Sequence, residues 1–445
     1  MCWEVFVLDR NEYLEIVAAQ IRCKRAIPYL KEELEDHIQD QKDAYLAEGM
    51  NPFEAEMAAV KQMGDPVETG VQLDRVHKPK MEWKIFAVAA FLGLVGMILQ
   101  ISISMLTGEK LLTYTLLYEA GRFIGGMMIM LVICYMDYSI LAKHARKLWM
   151  ILMILLFCMC VCDMSILLRV VNGVNRNAAI VVYFTIPVYA AFVYSYRGKG
   201  KKGMLISILN LCLFLMILMT EVSLGFIVLT GTVDVIILGR AICKNWFGIE
   251  KSELKNMIKD GIRILAGVLL VFGAVWILNG YGAGYTGFIT IPDYYVDRIK
   301  IFLSGDAVDY IAGQINLFFR DGSNLSEMPF LLGHIKSDYV WLAIIGQWGD
   351  FAGCVIGFVC IVLLAMLFWK THQQKNQLGH FIALSCTMFL SVEMLFYIGG
   401  NWGITPFMGS MFMPFLGDGK VAAIVTYFYM GILLSIFRNT NVVRN

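Results

Sequence analysis

Two patterns follow one another along the chain. Up to residue 83, apolar residues recur three and four apart between polar ones, as in Leu14, Val17, Ala18 and Ile21, the mark of a helix with one buried face. From residue 85 the polar positions thin out. Apolar runs such as Leu148–Leu168 and Ile264–Leu278 dominate, and runs near 20 residues can cross a hydrocarbon core about 30 Å thick. Ten spans are predicted, over 85–106, 119–138, 148–168, 178–196, 204–219, 223–239, 262–279, 339–369, 380–398 and 421–437. The predicted fold class is all-α: a polytopic membrane protein of about ten transmembrane helices, with a small N-terminal cytosolic helical domain. The domains expected are 1–83 and 84–445, the second carrying a large extracytoplasmic loop over 280–337.

Punctuation in the first segment divides it into helices. Asn11 is the expected cap of a helix running through Arg22. Pro28 opens a second helix and Gly49 stops it. Asn51-Pro52 starts a third, and Gly64-Asp65-Pro66 ends that helix and starts a short fourth. So small a bundle has little core and would lean on a partner or on the membrane domain.

Composition agrees with a membrane chain. Of 445 residues, 58% are hydrophobic and 16% charged, where soluble domains are about a quarter charged. The charge is unevenly placed. Residues 1–83 hold 10 Lys/Arg against 17 Asp/Glu, a net of −7, and the remainder carries +8. Basic clusters such as Lys143/Arg146/Lys147 and Arg197/Lys199/Lys201/Lys202 fall in every second connection. They set the orientation: both termini cytoplasmic, with 139–147, 197–203, 240–261, 370–379 and 438–445 inside. The first apolar run begins too late for a secretory signal.

Eleven cysteines lie mostly within spans and none in the large outer loop, which argues against a disulfide framework. Cys158, Cys160 and Cys162 point to different helix faces and read as apolar filler. Glu33, His37 and Asp40 share a face that could hold a metal; a solvated acidic face is the reading adopted. There is no nucleotide-binding glycine loop, metal-ligand cluster or nucleic-acid signature.

Two features carry the candidate chemistry. The first is His334, Lys336 and Asp338, set where an outer loop enters an apolar span. A carboxylate at a membrane rim has either a structural partner or a chemical task. The second is Gly399-Gly-Asn-Trp-Gly403-Ile-Thr-Pro406-Phe-Met-Gly409, followed by Pro414. Glycines and prolines this dense break helices, and irregular backbone at membrane depth needs protein or a water-filled cavity to satisfy it. That describes a cleft; a plain outer loop is the alternative. Among other intramembrane charges, Asp234 is expected to reach Arg240, Asp163 and Glu393 to hydrogen-bond between helices, and Glu119 with Arg122 to form a helix-surface pair.

Two resemblances bear on these features. Glu33, Leu34, Glu35, His37, Gly49, Pro52, Ala55, Met63, Gly64, Asp65 and Pro66 resemble the permease-prefix headpiece that precedes many bacterial membrane proteins. From residue 85 the chain resembles the SEDS family (FtsW, RodA and SpoVE). Three stretches carry this: Tyr295-Val-Asp-Arg298-Ile299 with Asp306 and Gln314; His334-Ile-Lys336-Ser-Asp338-Tyr-Val with Gly349 and Gly353; and the Gly/Pro-rich stretch through Phe415. The chain departs from the family at Ser223, at Thr185–Pro187, at Asn172–Arg176 and at Leu416–Gly419.

The resemblance implies a peptidoglycan glycosyltransferase that polymerises lipid II at the outer face of the bacterial plasma membrane, serving division, shape or sporulation. A class B penicillin-binding protein is the implied partner, with membrane lipids around the spans. Asp338 is the implied catalytic base, since a rim carboxylate is partly desolvated and a stronger base. Arg298 is the first choice to hold the diphosphate, then Lys336, with His334, Gln314, Lys300, Gly403, Pro406 and Gly409 lining the substrate site. No cofactor is implied with certainty, though a divalent cation at the diphosphate is compatible with that chemistry. Two alternatives stand beside the enzyme: a lipid II flippase, with Asp163, Asp234 and Glu393 along the path, and a non-catalytic SEDS-like scaffold.

Overall fold

The computed structural model describes residues 8–24, 26–106, 112–164, 174–221, 224–250, 315, 334–402 and 411–440. Every regular element among them is α-helical. The chain divides into two units. One comprises Met1–Glu82 with Gln373–Gly379 and Ile436–Asn445; the other comprises Trp83–His372 and His380–Ser435.

The first unit is built on four helices: α1 (Arg10–Gln20), α2 (Ile27–Ala47), α3 (Pro52–Gln62) and α4 (Pro66–His77). The cap of α1 is Asp9, whose side chain accepts from the backbone N of Arg10 at 2.8 Å, and the helix stops at Gln20; the expectation of an Asn11 cap and an Arg22 end is corrected. Asp9 is already extended (ψ 154) ahead of the first helical turn, which makes it the capping position. Asn51 and Asp65 cap α3 and α4 as expected, accepting from the backbone N of Phe53 (3.3 Å) and Val67 (3.0 Å). Tyr13, Leu14, Val17, Ile21, Leu30, Leu34, Ile38 and Val60 form the core. At its edge Asp74, 5% exposed, takes three hydrogen bonds from Arg22: backbone N at 3.0 Å, Nε at 2.9 Å and Nη2 at 2.6 Å. Glu33, His37 and Asp40 are exposed along α2, and no group of three potential metal ligands converges among the described residues. The same unit holds the chain's late segments: Lys80 N donates to Arg438 O at 3.1 Å, and Thr440 Oγ1 to Gln374 Oε1 at 2.5 Å.

The second unit contains α5 (Trp83–Leu106), α6 (Leu112–Tyr135), the short α7 (Ser139–Lys143), α8 (Ala145–Met164), α9 (Val174–Tyr194), α10 (Gly200–Glu221), α11 (Leu224–Cys243), α12 (Val340–Gln373), α13 (Gln377–Asn401) and α14 (Lys420–Arg438). All but α7 coincide with expected spans, and the seventh expected span, 262–279, lies outside the described residues. Among the described residues, seven of these helices are long and apolar enough to cross a membrane. The molecule is a multi-pass membrane protein.

Burial ranks the spans. The most apolar windows of α13 and α14 are 72% buried, against 17% for α6, so α13 and α14 are the centre of the bundle. Between lipid-immersed helices there is no hydrophobic driving force, and close packing with interhelical hydrogen bonds must hold them. Both occur. Phe389 stacks on Tyr429 (centroids 4.3 Å), Tyr183 meets Phe389 edge-on (5.4 Å), and Tyr429 Oη donates to the Tyr183 carbonyl at 2.6 Å. A second knot has Trp149 against Tyr189 (5.1 Å) and Phe214 (5.6 Å), with its Nε1 donating to Asn210 Oδ1 at 3.0 Å. The expected span over 339–369 is not one straight helix. At Gly349 the backbone turns to φ 82, ψ 168, a region essentially closed to residues with a Cβ, and α12 kinks there.

Candidate functional site

Five helix ends meet at one end of the bundle: the C-terminal turns of α5 and α13 and the N-terminal turns of α6, α12 and α14. Between them run two non-helical segments, Ile335–Tyr339 and Met411–Gly419. The first is a tight turn. The His334 carbonyl accepts from the backbone N of Ser337 (3.3 Å) and of Asp338 (2.9 Å), which brings His334, Lys336 and Asp338 together just before α12. His334 Nδ1 lies 3.7 Å from Asp338 Oδ2, and the Asp338 side chain is 26% exposed.

This turn is held from two sides. Along one face of α13, Tyr397 and Asn401 sit one turn apart. Tyr397 Oη donates to the Ser337 carbonyl (3.0 Å) and accepts from Val340 N (2.9 Å), doing the work of a helix cap for α12. Asn401 Nδ2 donates to the Asp338 carbonyl at 2.9 Å. From the other side, Gln100 Nε2 on α5 donates to the carbonyls of Lys336 (3.0 Å) and Leu416 (2.8 Å). Asp418 N also donates to the Lys336 carbonyl at 2.8 Å. Gln100 therefore ties the acidic turn to the second segment.

The second segment is equally constrained. Glu393, one turn before Tyr397 on α13 and fully buried, accepts from the backbone N of Phe412 at 2.8 Å. Its partner is thus the exit of the Gly/Pro-rich stretch, where a neighbouring helix was expected. Arg122 Nη1 donates to the Gly417 carbonyl, and Arg122 Nη2 pairs with Glu119 Oε2 at 2.5 Å. Their side chains are 10% and 4% exposed, so Glu119 and Arg122 are a buried pair, correcting the expected helix-surface pair. The spacing was right. The side chains face Met411–Gly419, a contact that helical periodicity does not register. Phe415 adopts φ 69, an outlier for a bulky side chain, and its carbonyl comes so close to α5 that a Cβ on Gly96 would lie 2.1 Å from it. Arg122, Phe123, Phe415, Ala422 and Tyr427 line a cavity beside this segment.

The predicted site residues divide accordingly. His334, Lys336 and Asp338 share the turn. Arg298, Lys300, Gln314, Gly403, Pro406 and Gly409 lie outside the described residues, as do Ser223 and the side chain of Asp163. Asp234 is fully buried on α11, and among the described residues neither carboxylate oxygen has a hydrogen-bond partner. It does not reach Arg240: six residues along a helix is a rotation of about 240°, away from Asp234's face. Gln100, Tyr397 and Asn401 were passed over. The available signal was a lone polar residue inside an apolar run, which marks a helix contact without naming its partner.

The fold and this junction define a class: a polytopic helical membrane protein with an acidic turn buttressed at one end of its central helices. Residues 321–442 match the model of the cell cycle protein family FtsW/RodA/SpoVE. A probable peptidoglycan glycosyltransferase FtsW from Enterococcus hirae is 25% identical over 197 residues, 40% of this chain and 48% of that protein. The chain thus aligns with about half the length of this curated relative. Among solved structures, one determined for the structural coordination of polymerization and crosslinking by a peptidoglycan synthase complex gives a TM-score of 0.58 at 16% identity, over 81% of this chain and 98% of that one. An Asp-to-Ala variant of the rod shape determining protein RodA from Thermus thermophilus gives 0.50 at 14% identity, over 81% and 98%. Over residues 321–442 the chain is similar to the SEDS family, and its fold is similar to that of the solved structures.

Proposed function

We propose that this protein is an inverting peptidoglycan glycosyltransferase that polymerises lipid II at the outer membrane face. Asp338 takes the proton from the acceptor sugar hydroxyl as that oxygen bonds to the anomeric carbon of the donor. The bond from that carbon to the diphosphate breaks, and the lipid diphosphate leaves with the electron pair. Lys336 and His334, on the same turn, and Arg298 and Lys300 from the preceding loop supply positive charge to the leaving diphosphate. Gln314, Gly403, Pro406 and Gly409 line the sugar and diphosphate path. A divalent cation travelling with the diphosphate belongs to the same reading, with Asp338 the one carboxylate of the turn able to meet it. A class B penicillin-binding protein that crosslinks the strands is the proposed partner. The outer face, with both termini cytoplasmic, is part of the proposal.

The observation that carries this reading is the buttressing of Asp338. Side chains from α5 and α13 fix the backbone on both sides of a carboxylate that stays partly open to solvent. Rigid support of this kind is what a base needs, because a misplacement of 1 Å can cost about a hundredfold in rate. The test is purified full-length protein, with and without the penicillin-binding partner, incubated with labelled lipid II and resolved on a gel. Wild type should give polymer, and Asp338→Ala and Asp338→Asn should give none while remaining monodisperse. Polymer from either variant would remove Asp338 as the base.

A lipid II flippase is the second reading, favoured by the buried Asp234, which has no hydrogen-bond partner among the described residues. Transbilayer movement of labelled lipid II in liposomes separates the two: Asp234→Asn should abolish flipping under this reading and leave polymerisation intact under the first.

A further inference from the structure

At the opposite end of the bundle the structure joins three segments that are far apart in sequence: the start of α8, the α9–α10 connection and the turn after α11. Gly198 N donates to the Trp246 carbonyl at 2.8 Å and Gly200 N to the Phe247 carbonyl at 2.9 Å, so the last two segments are bonded backbone to backbone. Arg146 reaches across from α8. Its Nη2 donates to the Ser195 carbonyl at 2.8 Å and its Nε to Ser195 Oγ at 3.2 Å. Two aromatic rings anchor the cluster. Arg146 Cζ lies 4.8 Å and Lys199 Nζ 5.2 Å from the Tyr196 centroid; Arg197 Cζ lies 5.9 Å from that of Trp246. Trp246 is itself 8% exposed and wedged against Tyr194 and Phe381.

Positive charge accumulates here beyond what membrane orientation needs. A topology signal requires only Lys and Arg in a loop; it does not require their side chains to be held over rings, at a cost in rotamer entropy. Two cations on one ring repel each other. Among the described residues, no Asp or Glu forms an ion pair with Arg146, Arg197, Lys199 or Lys244. Burial and the neighbouring Arg240 hold the Lys244 ammonium below its usual range, a further sign of crowded positive charge. The crowd calls for an anion. Its position at the ends of apolar helices selects the kind: on α10, Leu205 and Leu209, one and two turns beyond Lys201, are 43% and 48% exposed, a track for an acyl chain.

We propose that Arg146, Arg197 and Lys199, carried on Tyr196 and Trp246, form a binding site for the headgroup of an anionic phospholipid. The guanidinium groups pair with phosphodiester oxygens, and the rings mark the depth of the interface.

The experiment is native mass spectrometry of the full-length protein titrated with phosphatidylglycerol or phosphatidylcholine of matched chains. Wild type should retain phosphatidylglycerol preferentially. Arg197→Gln/Lys199→Gln should lower that affinity roughly thirtyfold, at about 1 kcal/mol per cation near a charged leaflet. Lys143→Gln/Lys147→Gln removes the same charge outside the cluster and should leave most of the preference. Equal losses in the two double variants would overturn the proposal, as would an unchanged Arg197→Gln/Lys199→Gln protein or displacement of the lipid by millimolar inorganic phosphate. Should the loop variant aggregate, Arg146→Gln with the circular dichroism spectrum as a fold check serves instead, with a fivefold loss expected by the same constant and no loss overturning the site. Lipid retention is read without any turnover, so the result stands apart from the assigned reaction.

Discussion

Tyr397 shows how one hydroxyl can matter more than its size. It caps α12 and fixes the carbonyl beside Asp338 at once, from a buried position where water cannot substitute. Tyr397→Phe keeps the ring but strands two backbone groups, at about 1–3 kcal/mol. Under the proposed reaction kcat should fall at least tenfold while KM for lipid II changes little, measured by initial rates of polymerisation. Equal losses in kcat and in folded yield would instead assign Tyr397 to stability alone. Asp74 makes a different residue-scale case. Hydrogen bonds from Arg22 hold its carboxyl below the usual range, against the opposing effect of burial. A group whose folded pKa is depressed stabilises the fold above its unfolded pKa and loses that contribution as pH falls through the folded value. Amide hydrogen exchange of α1 and α4 in the whole protein should therefore be severalfold slower in wild type than in Asp74→Asn near neutral pH, and the difference should vanish in acid.

At the scale of elements, the punctuation of the first segment was readable because caps are local. Asn51, Asp65, Pro52 and Pro66 each act within one turn of their own position. The span positions were readable because hydropathy is a sum over about twenty residues and tolerates error at the ends. Gly349 was noted for its spacing after Asp338, yet the kink it makes was not foreseen, since a glycine in an apolar run fits a straight helix equally well. Among the described residues nothing lies within 4 Å of the place where a Cβ would project, so the cost of Gly349→Ala is one of backbone conformation, about 1–3 kcal/mol. Its thermal unfolding in detergent should shift down, whereas Gly239→Ala, equally open but in regular helix, should be neutral or slightly stabilising.

For the whole molecule, the proposed orientation in the bilayer rests on the order of basic and apolar segments. An impermeant maleimide applied to intact cells should label Lys420→Cys and not Lys201→Cys in a background whose accessible native cysteines are removed. The opposite pattern would invert the protein and place Asp338 on the cytoplasmic side, where the proposed use of lipid II at the outer face fails. The two ends of the bundle then differ in character. One carries a constrained acidic turn beside the buried Glu119–Arg122 pair; the other carries cations stacked on aromatic rings.

The chain by itself determined that these residues are helices, that most of them are membrane spans, and that His334, Lys336 and Asp338 stand at the entrance to one of them. Those properties follow from periodicity, length and charge, which act between near neighbours. Which polar side chain answers which backbone group was decided by tertiary structure alone. Gln100 meets the carbonyls of Lys336 and Leu416 across more than two hundred residues, Arg122 meets Gly417, and Glu393 meets Phe412. A lone Gln or Glu in an apolar run reveals that a partner must exist, because hydrocarbon offers none. Its identity depends on which helices become neighbours, and that is settled by packing across the whole bundle.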